Sequence, residues 1–240
     1  MNELIKGISY ASVCRFQEQK LLYYSDQLVE FPCDEKEKIQ KWINTHGGMY
    51  ALHYPSEYSV GKLGFELTCV EKRKLVYQDF QSYIEEFPDA EYYLLHFPGL
   101  ELNAAKEKIE EAFKELALRF EKYNSKVVIE NMSYVDACCR AKDYKQLLQK
   151  SGLGLCLDIG HAHMVEEGEP FRFWELLGDR IQVIHYYNTT NYIESRYYGQ
   201  HLPVSFKVQD GICLEEINEW IMQCRHKLYI VDESKEIKSE

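Results

Sequence analysis

The chain has 240 residues, of which 45 % are hydrophobic and 28 % charged, and its formal net charge at pH 7 is −11. This is the composition of a globular protein, and no apolar run approaches the roughly 18 residues that a membrane-spanning helix needs. The acidic charge disfavours non-specific nucleic-acid binding, which depends on cationic contacts to phosphates.

The first residues, MNELIKGISYAS, lack the basic-then-apolar order of a signal peptide. The eight cysteines form no C-x-x-C pair, and several lie in apolar runs, as Cys156 does in GLGLCLD. This pattern is typical of buried thiols in a reducing compartment. We therefore expect a cytoplasmic protein with no membrane association.

Short apolar runs alternate with longer amphipathic stretches along the whole chain, which is typical of parallel strands joined by helices. A short helix or irregular turn is expected in RFQEQKLLYY, after the first strand. Strands are predicted at about 5–10, 27–31, 49–53, 92–96, 126–130, 153–158, 181–186 and 228–232. Helices are predicted at about 34–46, 71–86, 103–123, 140–150, 170–178 and 214–226.

The helix predicted at about 103–123 has the clearest pattern, since four apolar residues recur at helical spacing opposite Lys and Glu. Asn103 can cap its start. The helix at about 34–46 opens with the acidic turn DEKE and stops at Gly47 and Gly48. Eight strands with these helices predict an α/β fold, a (β/α)₈ TIM barrel forming one domain over residues 1–240.

A doubly wound sheet is the alternative architecture. Such sheets usually have fewer units and a glycine-rich first turn, whereas the first turn here, SYASVCRF, contains no G-x-G-x-x-G. No phosphate-binding P-loop motif occurs in the chain. The barrel is therefore the preferred prediction.

Imidazoles and carboxylates follow most of the predicted strands, at the end of the barrel where active sites form. Imidazole with carboxylate suits zinc, manganese, iron or cobalt, and the lack of thiolate argues against a structural zinc. The sequence thus predicts a centre of one or two divalent ions, with Zn²⁺ or Mn²⁺ preferred. The residues at these positions are His53, His96, Glu130, Asp158, His161, His163, His185, His201, Asp232 and Glu233.

Five segments resemble, in order and spacing, motifs of the xylose isomerase-like TIM-barrel superfamily. They are LLHFPG, VVIENM, GLCLDIGHAH, VIHYYN and GQHLP. That superfamily includes endonuclease IV-type apurinic endonucleases and many sugar isomerases and epimerases. The similarity extends from about residue 49 to 234 and is strongest in CLDIGHAH followed by IHYYN.

The resemblance implies separate roles for the matching residues. Glu130 matches the family's metal-bridging glutamate of strand 5, and His53 with His96 matches the second-metal histidines of the endonuclease branch. Asp158, His161, His185 and His201 match further metal ligands. The strand-8 glutamate falls at Asp232 or Glu233, with a slight preference for Glu233, and Glu130 and Glu233 are the expected catalytic pair.

One position departs from the family pattern. Gly199 stands where the endonuclease branch has an aspartate two residues before His201, so we expect a third metal to lack a ligand. His163 is expected to pack or to support a ligand, and His46 and His226 to stabilise helix ends. The sequence allows two positions for Glu30 in QLVEFP, at the barrel mouth or on the protein surface.

Two functions follow from this set. The preferred one is isomerisation or epimerisation of a sugar or sugar phosphate, in which Glu130 and the strand-8 carboxylate transfer protons. The alternative is a phosphodiester hydrolase of the apurinic-site endonuclease type, which the histidines after strands 3 and 4 favour. Nucleic acid stays open as a partner, but the acidic charge and cation-poor loops disfavour it.

Overall fold

A computed structural model describes residues 3–10, 27–54, 66–98, 103–123, 126–133, 135 and 137–235. The segment RFQEQKLLYY, for which a short helix or turn is predicted, lies outside the described residues. No helix in the described part is both long enough and apolar enough to cross a bilayer. Among the described cysteines all are free thiols, and five are buried, while Cys69 is half-buried and Cys213 exposed.

Eight parallel strands close into a barrel in chain order, with the first strand paired to the last. This arrangement confirms the predicted (β/α)₈ TIM barrel and excludes the doubly wound sheet. The strands are β1 (Leu4–Ser9), β2 (Leu28–Pro32), β3 (Tyr50–His53), β4 (Tyr93–His96), β5 (Val127–Glu130), β6 (Gly154–Asp158), β7 (Ile181–Tyr186) and β8 (Leu228–Asp232).

Seven α-helices lie in the described part of the chain. They are α1 (Lys36–His46), α2 (Val70–Glu86), α3 (Lys106–Arg119), α4 (Ala141–Leu148), α5 (Ile159–Val165), α6 (Glu169–Leu177) and α7 (Leu214–Gln223). α1 ends as predicted at Gly47, whose φ of 61° is the left-handed conformation that glycine adopts without strain. Its N–H donates to the carbonyl of Ile43.

Two helices differ from the sequence prediction. α3 is shorter than predicted, because Ala105 rather than Asn103 precedes its first turn and a separate 3₁₀ turn covers Glu121–Tyr123. α5 was not predicted at all. It starts directly after β6, where the Asp158 carboxylate accepts a hydrogen bond of 2.6 Å from the backbone N–H of His161. Seven residues are too few to show helical periodicity, so this cap is its main signal.

The core has two apolar layers that follow the alternation of side chains along each strand. Residues such as Val127 and Ile129 of β5 pack outward against the helices. A smaller cluster fills the barrel interior. Its members are Ile5, Leu28, Ala51, Tyr92, Leu94, Val128, Cys156, Val183, Tyr229 and Val231.

Candidate metal centre

A polar layer lies directly above the apolar interior, at the carboxyl ends of the strands. Each of its members follows an interior apolar residue by two positions and therefore points to the same face of its strand. On β5, for example, Val128 lies in the apolar layer and Glu130 in the polar one. The members of the polar layer are Glu30, His53, His96, Glu130, Asp158, His185 and Glu233.

Three of these side chains converge around one nitrogen of a fourth, His185, and we call this group of four the central position. The Nδ1 atom of His185 lies 3.4 Å from Glu130 Oε2 and 3.4 Å from Glu233 Oε2. Asp158 Oδ2 lies 3.8 Å from the same nitrogen. The four residues come from β5, β6, β7 and the residue after β8, so only barrel closure brings them together.

A second group, which we call the histidine position, joins the ends of β3, β4 and β5. The Nε2 atoms of His53 and His96 lie 3.0 Å apart. Glu130 Oε2 lies 3.5 Å from the first and 3.2 Å from the second. Glu130 thus offers the same oxygen to both positions, while its Oε1 faces His161 Nδ1 at 3.3 Å.

The donor atoms at the central position are buried and unsatisfied. Glu130 Oε2, Asp158 Oδ2 and His185 Nδ1 have no hydrogen-bond partner among the described residues. Buried polar atoms are normally paired, because desolvation without a partner costs about 1–3 kcal/mol each. Ligand atoms that share a first-row ion at about 2.1 Å lie about 3.0–3.4 Å apart. The separations of 3.4 Å from Glu130 and Glu233 to His185 therefore fit a divalent cation, and Asp158, at 3.8 Å, lies slightly further out.

The electrostatics of the cluster are dominated by carboxylates packed against imidazoles. Burial opposes ionisation of Glu130, but His96 and His185 hold its pKa well below the usual range. Burial, together with the charges of Glu30 and Glu130, raises the pKa of Glu233 to about 7 against the opposing effect of His185. The site thus concentrates negative charge that a bound cation would neutralise.

Glu30 is the site residue that the sequence analysis left undecided. It is only 1 % exposed and lies 3.2 Å from His53 Nδ1 through Oε1 and 3.2 Å from His185 Nε2 through Oε2. Burial opposes its charge, but His185 and His53 hold the pKa of Glu30 far below its usual value. The signal that could have placed it is the alternation Leu28–Glu30, which repeats Val128–Glu130.

The same alternation separates the two carboxylates at the end of β8. Val231 lies in the interior layer, so Glu233 points into the mouth and Asp232 to the other face. The Asp232 carboxylate instead accepts hydrogen bonds from the backbone N–H and the hydroxyl of Ser234, at 2.8 and 2.6 Å. The geometry favours Glu233 as the strand-8 member of the cluster.

His161 and His201 border the cluster on the α5 side. His161 Nδ1 lies 3.3 Å from Glu130 Oε1 and 2.9 Å from the carbonyl of Asn131. Burial opposes its charged form, but Asp158 and Glu130 raise the pKa of His161 to about 9. His201 lies further out, with Nδ1 3.6 Å from Glu233 Oε2.

The loop after β7 contains His201 and Gly199, and His163 of α5 contacts its far end. His201 stacks on Tyr187 at 3.9 Å between ring centroids. Gly199 has a φ of 67°, and a Cβ there would meet only Met164 Sδ, at 3.6 Å, so the weakened third site stays a prediction. His163 bonds through Nε2 to the carbonyl of Asp210 at 2.8 Å, away from the central position.

Comparison with known proteins agrees with this architecture. The family model for the xylose isomerase-like TIM barrel matches residues 15–215. A search of the curated proteins gave no significant match.

Among solved structures, a D-tagatose 3-epimerase-like protein aligns with a TM-score of 0.75 and 19 % identity, covering 97 % of this chain and 91 % of that one. The 3-keto-D-glucoside 4-epimerase YcjR from E. coli aligns at 0.71 and 11 %, covering 99 % and 94 %. Endonuclease IV from Thermus thermophilus aligns at 0.59 and 17 %, covering 98 % and 93 %. At these low sequence identities the structural matches support the fold alone. On the family match over most of its length, the chain belongs to the xylose isomerase-like TIM-barrel family.

Proposed function

We propose that this protein is a divalent-metal-dependent isomerase or epimerase that acts on a sugar or sugar phosphate. The observation that carries the proposal is the central position, where Glu130, Asp158 and Glu233 converge on His185. Glu130, Asp158 and His185 each have a buried donor atom there without a hydrogen-bond partner among the described residues. Four convergent donors of this kind are what a first-row divalent ion needs.

The donor set at the central position is rich in oxygen. Three carboxylates and one imidazole suit Mn²⁺ and also accept Zn²⁺, whereas a thiolate-rich set would select zinc. Cys156 lies in the apolar layer beneath, and burial raises the pKa of its thiol well above the usual value. Because Cys156 belongs to the layer beneath the mouth, the carboxylates and His185 at the strand ends would hold the ion.

The chemistry of the proposed reaction is proton transfer at carbon. When bound, a divalent ion polarises a sugar carbonyl and acidifies the neighbouring C–H. Glu130 and Glu233 reach the central position from β5 and from beyond β8, so they approach a substrate there from different strands. In an epimerisation, one carboxylate would take the proton from carbon and the other, in its protonated form, would deliver a proton to the opposite face of the same carbon. In an isomerisation, the first carboxylate would return its proton to the adjacent carbon while the hydroxyl proton moves to the former carbonyl oxygen.

Two further facts support a small carbohydrate. Two of the similar structures bear the names of sugar epimerases. The net charge of −11 opposes long polyanions, and no lysine or arginine belongs to the described polar layer at the strand ends.

A second candidate function is metal-dependent phosphodiester hydrolysis. The histidine position favours it, because His53, His96 and Glu130 Oε2 would place a second ion beside the first. Paired ions can clamp the attacking and leaving oxygens at phosphorus. Endonuclease IV, one of the similar structures, bears the name of an enzyme of this general class.

The test is hydrogen exchange at carbon. The purified protein, loaded with Mn²⁺ or Zn²⁺, is incubated in D₂O with a panel of ketoses, aldoses and their phosphates, and the sugars are examined by NMR. Proton removal places deuterium beside the carbonyl, whichever product forms. We expect metal-dependent exchange with at least one sugar class.

Two neighbouring carboxylates provide a matched control. Glu233→Gln should abolish the exchange, whereas Asp232→Asn should leave it within about twofold, because only Glu233 belongs to the cluster. The proposal fails if no sugar exchanges while the loaded protein cleaves bis(p-nitrophenyl) phosphate or an abasic-site duplex. Two ions per chain together with such cleavage would establish the second candidate instead.

A further inference from the structure

Glu30 belongs to neither the central position nor the histidine position, although its carboxylate lies within 4.8 Å of donor atoms of His53, His185 and Glu233. Its Oε1 faces Nδ1 of His53 at 3.2 Å, and its Oε2 faces Nε2 of His185 at 3.2 Å. The hydroxyl of Tyr92, which belongs to the apolar layer beneath, donates to Oε2 at 2.7 Å. Both carboxylate oxygens are therefore already engaged by the protein.

These contacts determine which ring nitrogen of each histidine carries hydrogen. An ionised carboxylate only accepts hydrogen bonds, so the imidazole nitrogen that faces it must donate. With a cation at the central position, His185 would carry hydrogen on Nε2, and its Nδ1 lone pair would face the cation instead of donating to Glu130 and Glu233. His53 carries hydrogen on Nδ1, and its Nε2 lone pair is left for the histidine position.

The two imidazoles contact different oxygens of Glu30 and belong to different positions. His185 Nδ1 is the nitrogen that lies 3.4 Å from Glu130 and Glu233. His53 Nε2 is the one that lies 3.0 Å from His96 Nε2. In both rings the nitrogen turned away from Glu30 is the one turned toward the other donors.

We propose that Glu30 is a positioning residue that sets the tautomers and ring orientations of His53 and His185 together, and so couples the two metal positions. The inference rests on the proposed function, in that the cluster holds divalent metal. Glu30 itself does not touch the substrate. Carboxylates that hold metal-ligating histidines in this way typically contribute about 10–100-fold to metal affinity or activity.

The amide variant separates this role from simple space filling. Glu30→Gln keeps the shape of the side chain but replaces one acceptor oxygen with an NH₂ donor. The amide can accept from one imidazole only, so the other ring must rotate or move its hydrogen to the metal-facing nitrogen. A single substitution of one oxygen should therefore disturb one metal position while the fold is retained.

The experiment compares histidine tautomers and zinc affinity in the same samples. Protein labelled with ¹⁵N-histidine is studied by long-range ¹H–¹⁵N NMR, metal-free and zinc-loaded, and affinity is measured by competition with a chromophoric chelator. In the zinc-loaded wild type we expect His185 to be protonated on Nε2 and His53 on Nδ1. In Glu30→Gln we expect at least one of these patterns to change and zinc affinity to fall about 10–100-fold.

Glu169→Gln is the matched control. Glu169 is also a glutamate only 1 % exposed, but it accepts from the backbone N–H of Ala141 and from Arg172, at 2.6 and 2.9 Å, outside the polar layer. Its amide variant should keep wild-type tautomers and zinc affinity. Tyr92→Phe, which removes one donor to Glu30 but neither imidazole contact, should weaken zinc binding less than Glu30→Gln does.

The outcomes separate the inference from the proposed function. A wild type that binds no divalent metal contradicts the proposed function, and the inference falls with it. A wild type that binds zinc with His185 protonated on Nδ1 overturns the inference alone. Unchanged affinity and tautomers in a folded Glu30→Gln protein overturn it as well. If that variant fails to fold, the histidine tautomers of the zinc-loaded wild type still test the inference.

Discussion

Buried charged side chains are paired differently against helix α3 and at the barrel mouth. Arg73 of α2 is only 2 % exposed, yet its guanidinium donates to Glu111, to Glu115 and to the carbonyl of Leu67, at 2.8, 2.8 and 3.2 Å. At the mouth, Glu130 Oε2 and His185 Nδ1 are buried side by side without a hydrogen-bond partner among the described residues.

This difference in hydrogen bonding separates a region that serves stability from one that is suited to bind a ligand. A buried charged group that serves only stability has hydrogen-bond or ion-pair partners, because an unpaired buried charge costs several kcal/mol. Several like-charged carboxylates with unsatisfied atoms are unfavourable unless something else supplies positive charge. The α2–α3 contact is complete within the protein, whereas the proposed divalent ion would complete the mouth. Four predictions test this contrast.

The largest effect is expected at the shared oxygen of the mouth. Glu130→Gln should retain the fold but bind divalent metal at least about 100-fold more weakly, since both positions lose a charged donor and even supporting residues are worth up to that much. Calorimetric titration and elemental analysis measure the loss. A Glu130→Gln protein with full metal occupancy and full activity would contradict the assignment.

Metal removal should lower the stability of the protein as a whole. At a free metal concentration 100 times Kd, binding stabilises the folded state by about 2.7 kcal/mol, which for a chain of this size corresponds to about 5–10 °C in Tm. Thermal unfolding with and without a chelator measures the shift. The shift should be absent in Glu130→Gln, and a chelator that left wild-type Tm unchanged would argue against a ligand-completed mouth.

A change in the Arg73 ion-pair cluster should lower stability without affecting metal binding. Arg73→Met should destabilise the protein by about 2 kcal/mol, because it removes hydrogen bonds to charged groups. The loss should stay below that of a fully buried pair, since Glu111 and Glu115 remain partly in water. Denaturant unfolding measures the change. Metal affinity should equal that of the wild type, and a variant that lost metal as well would remove the distinction between the two regions.

The smallest effect is expected in the exposed ion pairs of Glu166 with Arg140 and Arg172. Hydrogen bonds from Arg172 and Arg140 lower the pKa of Glu166 to about 2. A carboxyl whose folded pKa is depressed stabilises above its unfolded pKa, near 4.5, and loses that contribution as the pH falls toward 2. Glu166→Gln should thus be slightly less stable than wild type at pH 7, and the gap should close near pH 2. A gap that widens in acid would contradict this sign.

Much of the barrel could be read from the chain because strand and helix patterns are local. The run VVIE alternates outward and inward residues over four positions, and Gly47 ends α1 by its own conformational freedom. The polar layer follows the same alternation, so His53, His96, Glu130, Asp158 and His185 were expected at strand ends. Helix α5 escaped prediction because a seven-residue helix has no repeating pattern.

Sequence alone thus determined the order of the elements and most of the residues at the mouth, since side-chain direction on a strand depends only on neighbouring positions. It did not decide which of these residues meet. Glu30 and His185 are 155 positions apart and form one contact, and Glu130 and Glu233, from β5 and from beyond β8, both approach Nδ1 of His185. Those pairings arise when β8 closes against β1, because closure sets the distances across the barrel that no local pattern encodes.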